Sequence, residues 1–133
     1  MNYLLDTNIC IYIINKKPAS VIKRVQTKHH EQIAISTITQ AELEYGIARS
    51  RNVDQNRIAL LEFLFPFLLI DFDQMAAIQY GLIRASLESR GKPIGSMDML
   101  LAAQARSRDL ILVTNNEKEF HRIDGLKLEN WAK

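Results

Sequence analysis

The sequence predicts an α/β fold, with a central, mostly parallel sheet flanked by helices in an α/β/α sandwich. Short apolar runs recur along the chain and alternate with segments that have helical spacing of apolar residues. Runs that are apolar at every position are typical of strands buried on both faces, and such strands belong to parallel sheets. The predicted strands are residues 2–5, 33–36, 68–70, 110–113 and 126–128.

Helices are predicted between these strands from start and stop signals. One helix is expected to begin at Asp73, a preferred N-cap residue, and to end at Gly91, a preferred residue after a helix. The helix that precedes Pro66 is expected to end at that proline. Ser20 is a further candidate N-cap, and Thr37 or Thr39 is another. The predicted ranges are 7–14, 20–28, 37–50, 54–65, 73–91, 97–108 and 117–120.

Two of these helices carry apolar residues on one face, which we expect to lie against the core. In the helix after Asp73 the apolar positions recur at spacings of four, three and four. In the helix that begins at Asp54 they recur at spacings of three. The two sets are Ala76, Tyr80, Ile83 and Leu87, and Ile58, Leu61 and Leu64.

Length and composition indicate one domain spanning residues 1–133, with enough apolar residues for a real core. Apolar residues make up 47% of the chain and charged residues 24%, which is ordinary for a globular protein and excludes a disordered chain. The 17 Lys and Arg residues and 15 Asp and Glu residues leave a net charge of +2, which permits a nucleic-acid partner without indicating one.

The cellular location is expected to be the cytoplasm. The single cysteine, Cys10, cannot form an internal disulfide and lies in an apolar run, as a small buried residue in a reducing compartment would. The N-terminus lacks the features of a signal peptide, and no apolar run approaches the ~20 residues that span a bilayer. We therefore expect no membrane partner.

Polar clusters follow three of the predicted strands, where ligand sites of open parallel sheets lie. These clusters are Asp6-Thr7-Asn8, Ser36-Thr37 and Thr114-Asn115-Asn116. The acids near the strand ends or at the starts of the following helices are Asp6, Glu42, Asp98 and Glu119. A structural alternative stays open, in which Asp6 and Asp98 are N-caps worth ~1 kcal/mol each and Glu42 completes a capping box with Thr39.

Acids gathered at one edge of a sheet repel one another and require a cation. Oxygen-only ligands suit Mg²⁺ or Mn²⁺, and the lack of clustered Cys and His argues against zinc. The three histidines, His29, His30 and His121, lie on polar segments and are expected to be exposed. A glycine-rich phosphate loop is absent, which disfavours a flavodoxin-like domain that binds a small ligand.

Four segments in order resemble the PIN-domain ribonucleases and, among them, the VapC toxins of bacterial toxin–antitoxin pairs. These are "YLLDTNICIYIINKKP", "ISTITQAELEYGIARS", "GKPIGSMDMLLAAQARSRDLILVTNNEKEF" and "HRIDGLKLENW". The resemblance covers nearly the whole chain. It implies an acidic pocket that binds Mg²⁺ or Mn²⁺ and hydrolyses RNA phosphodiester bonds.

The resemblance also implies which residues form that pocket. Asp6, Glu42 and Asp98 correspond to the metal-binding acids of the family. Many relatives carry an Asp where Asn116 stands, so Glu119 is expected to supply the fourth charge and Asn116 a neutral oxygen ligand or a contact to water. Thr7 and Thr114 are expected to orient carboxylates or metal-bound water.

The expected mechanism follows from those assignments. A metal ion held by Asp6 and Asp98 acidifies a bound water and neutralises charge on the phosphate, while Glu42 places a second ion or accepts the proton.

An RNA substrate requires basic residues near the acids. The candidates are Lys16, Lys17, Lys23, Arg24, Arg90 and Lys92. Lys16, Lys17 and Lys92 are favoured, because Lys23 and Arg24 fit a solvated helix face. By resemblance, the RNA is transfer RNA or ribosomal RNA, with the anticodon loop of initiator transfer RNA as the first candidate.

The partners implied by the resemblance are a second copy of the chain and a small VapB-like antitoxin, through which DNA is bound. The segment "LLEFLFPFLLI" has more apolar residues than one helix and one strand need, so part of it is a candidate partner surface. Core packing of Tyr12, Phe63, Phe65 and Phe67 is the default expectation. The alternative function is a catalytically inactive PIN-like module that acts only with its antitoxin in DNA-bound autorepression.

Overall fold

A five-stranded, all-parallel sheet forms the centre of the protein, in a computed structural model that describes all 133 residues. The strand order is β3-β2-β1-β4-β5, so the predicted α/β class is confirmed and the sheet is entirely parallel. The strands are β1 (Tyr3–Leu5), β2 (Ile33–Ser36), β3 (Leu68–Ile70), β4 (Ile111–Val113) and β5 (Lys127–Glu129).

Seven α-helices connect these strands, and a short 3₁₀ helix at His30–Gln32 precedes β2. Most of the predicted ranges agree to within two residues at each end. None of the helices is long and apolar enough to cross a bilayer. The helices are α1 (Thr7–Ile14), α2 (Ala19–Gln26), α3 (Thr37–Ala48), α4 (Val53–Leu64), α5 (Gln74–Ser89), α6 (Ser96–Ser107) and α7 (Glu117–Phe120).

Two apolar cores form on opposite faces of the sheet, because neighbouring strand residues point to opposite faces. Leu4 and Leu112 pack with α5, α6 and the α7 segment. Leu5 and Val113 pack with residues of α1 to α4 and with the buried Trp131. The helices therefore cover both faces, as the sandwich prediction requires.

The point where the strand order reverses lies at β1 and β4. After β1 the chain enters α1 on one face, whereas after β4 it enters α7 on the other. Asp6 directly follows β1 and Thr114 directly follows β4, and both side chains are buried. The topology thus brings two of the predicted site residues to the place where α/β sheets hold ligands.

The two predicted apolar stripes have different outcomes. Ala76, Ile83 and Leu87 of α5 are buried as predicted, with Tyr80 half-buried beside them. In α4 the prediction is wrong for Ile58 and Leu61, which are 57% and 61% exposed. This helix has two apolar stripes, and the one that faces the core contains Leu60 and Phe63.

The predicted cap of α5 is confirmed, whereas the predicted caps of α2 and α3 are wrong. The Asp73 carboxylate accepts a hydrogen bond from the Ala76 N–H at 3.0 Å, and Gly91 follows α5 with a φ of 65°. The Ser20 cap is wrong, since α2 begins at Ala19 with Pro18 at the N-cap position. The cap of α3 is Ser36, whose hydroxyl accepts from the Ile38 N–H at 2.9 Å, rather than Thr37 or Thr39.

Candidate active site

Asp6 is both the last residue before α1 and the most buried acid of the site. Its Oδ1 accepts a hydrogen bond from the Ile9 N–H at 2.9 Å, so the N-cap interpretation is correct for this residue. Its Oδ2 accepts a hydrogen bond from the Thr114 hydroxyl at 2.5 Å. Only 5% of the residue is exposed. Both oxygens are thus held in fixed directions, and each keeps a lone pair for a further partner.

Thr114 joins the end of β4 to Asp6. Its hydroxyl oxygen also accepts a hydrogen bond from the Asn116 N–H at 2.9 Å. That bond leaves the hydroxyl hydrogen to point at Asp6, so Thr114 holds one oxygen of the Asp6 carboxylate. The Asn116 side-chain amide donates a hydrogen bond to Glu119 Oε2 at 3.0 Å and so holds the Glu119 carboxylate in place.

Glu42 lies one turn and a half into α3 and faces α1. Its Oε1 accepts a hydrogen bond from the Thr7 hydroxyl at 2.6 Å, so Thr7 orients a carboxylate across two helices. The predicted capping box of Thr39 and Glu42 is wrong, because Thr39 lies inside α3 and is not its N-cap residue. The Thr39 side chain is buried, and its hydroxyl oxygen lies 3.4 Å from that of Thr7. Thr39 was missed as a site residue, although its three-residue spacing from Glu42 places both on one helix face.

Asp98 lies in the first turn of α6, where Gly95 is the N-cap residue. The N-cap interpretation is therefore wrong for Asp98. Its carboxylate has no hydrogen-bond donor or ion-pair partner within the chain, and it is half-buried. A β-carbon added at Gly95 would come within 3.6 Å of Asp98 Oδ2, so glycine leaves that side of the carboxylate open.

The electrostatics show that the four acids form one group. Burial raises the pKa of Asp6 from 3.8 to about 6, against the hydrogen bonds from Thr114 and Ile9, and repulsion from Asp98 and Glu42 adds to the rise. The pKa of Asp98 is also raised, by burial first and then by repulsion from Glu119 and Glu42. None of the four acids forms an ion pair with a Lys, Arg or His. The site therefore has an excess of negative charge.

The donor set fits Mg²⁺ or Mn²⁺ better than any softer metal, because every side-chain donor is a carboxylate, hydroxyl or amide. No group of three or more His, Cys, Asp or Glu side chains is close enough to hold one ion by itself. A Mg²⁺ ion commonly keeps several waters and uses one or two direct carboxylates, so this spacing suits it. His29, His30 and His121 are exposed as predicted.

The predicted basic residues lie at different distances from the acids. Lys16 and Lys17 follow α1, at the other end from Asp6 of a helix ~12 Å long. Arg24 pairs with Glu129 at 2.9 Å, and Lys23 is exposed. Arg90 donates to the carbonyl oxygen of Arg122 at 2.6 Å, close to Lys92. Of the predicted basic residues, Lys92 is therefore the one whose side chain has no partner and which lines a pocket with other basic residues.

Comparison with known proteins places these features in a family context. The PIN domain family matches residues 3–126. The chain is 46% identical to Ribonuclease VapC2 of Rickettsia felis, with all of both chains covered. It is 42% identical to the tRNA(fMet)-specific endonuclease VapC of Shigella flexneri, with 99% of both covered. Among solved structures, VapBC2 from Rickettsia felis bound to a promoter DNA fragment has a chain 45% identical, with a TM-score of 0.92 over 98% of this chain and 99% of that one.

Proposed function

Because the chain belongs to the PIN-domain family and, within it, to the VapC ribonucleases, we propose that it is a metal-dependent endoribonuclease toxin. It hydrolyses phosphodiester bonds in structured RNA and thereby inhibits translation in the cytoplasm. The observation that carries the proposal is the group of four acids beside β1, which lacks any paired cation. Such a group requires positive charge, and a divalent ion with a bound phosphate supplies the partners that it lacks.

The residues that hold the ion are Asp6 and Asp98, with Glu42 and Glu119 beside them. When bound, Mg²⁺ or Mn²⁺ supplies positive charge against the charge that develops on the scissile phosphate, and it acidifies a water. Thr114 and the Ile9 N–H keep the Asp6 oxygens in fixed directions. Thr7 holds one oxygen of Glu42, which leaves the other free to accept a proton or a water contact. Asn116 positions Glu119 in the same way.

The substrate is transfer RNA, with the initiator transfer RNA as the first target to test. The Shigella flexneri relative is named for cleavage of that RNA, and its similarity to this chain extends over both full lengths. Sequence-selective recognition of RNA usually occurs in single-stranded loops, whose bases are accessible. The anticodon loop is therefore the proposed place of cleavage.

A small antitoxin of the VapB type is the proposed regulator, and DNA is bound through it. The Rickettsia felis structure is a VapBC2 complex on promoter DNA, and the fold of its toxin chain is nearly the same. A groove of about 490 Å³ lies between α1, α3 and α4, with Thr7 and Glu42 at its edge and apolar residues such as Ile11 and Leu60 along it. An apolar peptide in this groove would reach the acids, where an arginine could pair with them.

A homodimer is the proposed oligomeric state. The exposed apolar side chains concentrate on α4, β3 and α5, three consecutive elements at one edge of the sheet. Phe65 is 91% exposed, so the default expectation of core packing is wrong for Phe65 and right for Phe63. We call this surface the apolar edge; it consists of Ile58, Leu61, Phe65, Leu68, Leu69, Met75, Ile78 and Leu82. Monomeric proteins rarely expose large contiguous apolar patches, so eight large, exposed apolar side chains on three consecutive elements favour a partner that covers them.

The dimer prediction is tested with Leu82→Lys, which places a charge on the apolar edge. We expect wild type to sediment as a dimer at micromolar concentration and the variant as a monomer with unchanged circular dichroism. Ala77→Lys is the control, since Ala77 is exposed on α5 but points away from Leu82. A monomeric wild type, or equal loss of the dimer in both variants, contradicts the proposed interface.

The nuclease proposal is tested by incubating the antitoxin-free chain with total transfer RNA in Mg²⁺, Mn²⁺ or EDTA. We expect a discrete cleavage product in either metal and none in EDTA, because the proposed hydrolysis needs a divalent ion to acidify a water. Sequencing the product ends identifies the RNA and the position. Cleavage that persists in EDTA contradicts the metal requirement. A folded chain that cuts no RNA in either metal favours the alternative of a catalytically inactive module. The presence of all four acids argues against that alternative.

A further inference from the structure

A basic pocket lies between the loop after α5 and the region of α7, and the segments that form it also carry two of the acids of the site. The pocket has a volume of about 410 Å³, and its lining contains no apolar side chain except that of a proline. It is formed by Gly91, Lys92, Pro93, Lys118 and Arg122. Of these cations only Lys92 was a candidate from the sequence, because Lys118 in α7 and Arg122, two residues beyond its end, meet Lys92 only in the folded chain.

None of the three cations in the basic pocket has an acidic partner. Ion pairs elsewhere in the chain neutralise other cations, such as Arg57 and Lys127. The ammonium groups of Lys92 and Lys118 form no hydrogen bond, and both residues are exposed. Three unpaired positive charges around one concave surface favour an anion.

The geometry of the pocket is fixed by two arginines. Arg122 donates to the Pro93 carbonyl oxygen at 3.1 Å, and Arg90 donates to the Arg122 carbonyl oxygen at 2.6 Å. These bonds join the loop after α5 to the segment after α7. The backbone N–H groups of Gly91 and Lys92 already donate to the last turn of α5, so the side chains must bind the anion. A pocket that is held in place before binding loses less entropy on binding.

The position of the pocket relative to the acids identifies the anion. The loop that carries Lys92 leads directly to Asp98, and Lys118 is adjacent in sequence to Glu119. Asp98 and Glu119 interact electrostatically, so the two segments converge at the acidic site. A phosphate in the basic pocket would therefore lie along the same surface as a phosphate at the acids.

We propose that Lys92, Lys118 and Arg122 bind a backbone phosphate of the RNA substrate on one side of the scissile bond. This inference rests on the proposed nuclease function and adds a second contact for the same substrate. The contact recognises phosphate and not bases, so it contributes affinity and register without sequence preference.

The test compares Lys92→Gln/Lys118→Gln with a control, Lys23→Gln/Arg51→Gln. The control removes the same charge from exposed residues of α2 and the α3–α4 loop whose side chains form no ion pair or hydrogen bond. Binding of a fluorescein-labelled RNA stem-loop and of bulk transfer RNA is measured in EDTA over a range of salt concentrations. We expect the pocket variant to bind both RNAs more weakly, with a dependence of log Kd on log salt that is shallower by roughly 1.5. The control should match wild type.

Three results overturn the proposal. They are a salt dependence equal to wild type in the pocket variant, an equal loss in both variants, and RNA binding equal to wild type in a pocket variant that binds inorganic phosphate more weakly, which would indicate a site for free phosphate. Binding in EDTA does not require catalysis, so failure of the nuclease proposal is detected separately by the cleavage assay. If the chain cleaves RNA, the pocket variant should raise KM several-fold and leave kcat within twofold.

Discussion

Asp98→Asn is expected to reduce kcat/KM for RNA cleavage by at least ~10²-fold while the protein stays folded. The carboxylate makes no hydrogen bond within the chain, so its replacement breaks no structural contact. The substitution removes one of the charges that hold the metal and leaves the volume of the side chain almost unchanged. Activity is measured with saturating Mg²⁺ and again with Mn²⁺.

Asp54→Asn is the matched control, because Asp54 also lies in the first turn of a helix. Both substitutions remove a carboxylate that interacts favourably with a helix N-terminus, worth ~0.3–1 kcal/mol. In Asp98→Asn this loss is offset by the relief of repulsion from Glu119 and Glu42. We therefore expect the melting temperature of Asp98→Asn to be equal to or above wild type, and that of Asp54→Asn to be slightly below it.

The comparison separates a functional from a structural role of Asp98. If Asp98→Asn keeps most of the activity and loses as much stability as Asp54→Asn, then Asp98 serves only the helix. If activity is lost while stability is unchanged or higher, the Asp98 carboxylate serves the metal and the substrate and does not stabilise the fold.

The second large effect is on the pH dependence of stability, and it comes from Asp6. Its pKa is about 6 in the folded chain and near 3.8 when unfolded, so the folded state holds the proton more tightly. Between these two values the unfolded chain loses the proton first, and the free energy of unfolding falls as pH rises. Above pH 6 both states are ionised, and the cost reaches roughly 3 kcal/mol.

The measurement is urea unfolding in EDTA at pH 4.5 and pH 7.5, for wild type and Asp6→Asn. We expect the wild type to lose roughly 2 kcal/mol relative to the variant between these pH values. Millimolar Mg²⁺ should restore most of the loss at pH 7.5, because an ion that binds only the folded state stabilises it. Parallel pH profiles for the two proteins would show that burial of Asp6 does not raise its pKa.

The regular elements and the position of the first acid could be predicted from the sequence, because both depend on neighbours in the chain. Continuous apolar runs indicate strands buried on both faces, and all five observed strands lie within one residue of their predicted ends. Asp6 stands where a buried strand meets a helix, so its cap and its place at the edge of the sheet follow from a few adjacent residues.

The partners of the acids could not be predicted in the same way. Glu42 was paired with Thr39 in its own helix, whereas the structure pairs it with Thr7, 35 residues away. The Thr114 hydroxyl reaches Asp6 across 108 residues because β1 and β4 are neighbours in the sheet. Hydrogen bonds of this kind depend on strand order, which no local pattern encodes.

The fold class, the helices and strands, and the position of Asp6 are encoded locally, since they follow from the spacing of apolar residues and from capping chemistry. The tertiary structure alone decided which stripe of α4 is buried, because Leu60 and Ile58 are equally apolar and only packing against α1 and α3 selects between them. It also decided that Lys92 and Lys118 share one pocket, because α6 and β4 separate the two residues along the chain and only folding brings them together.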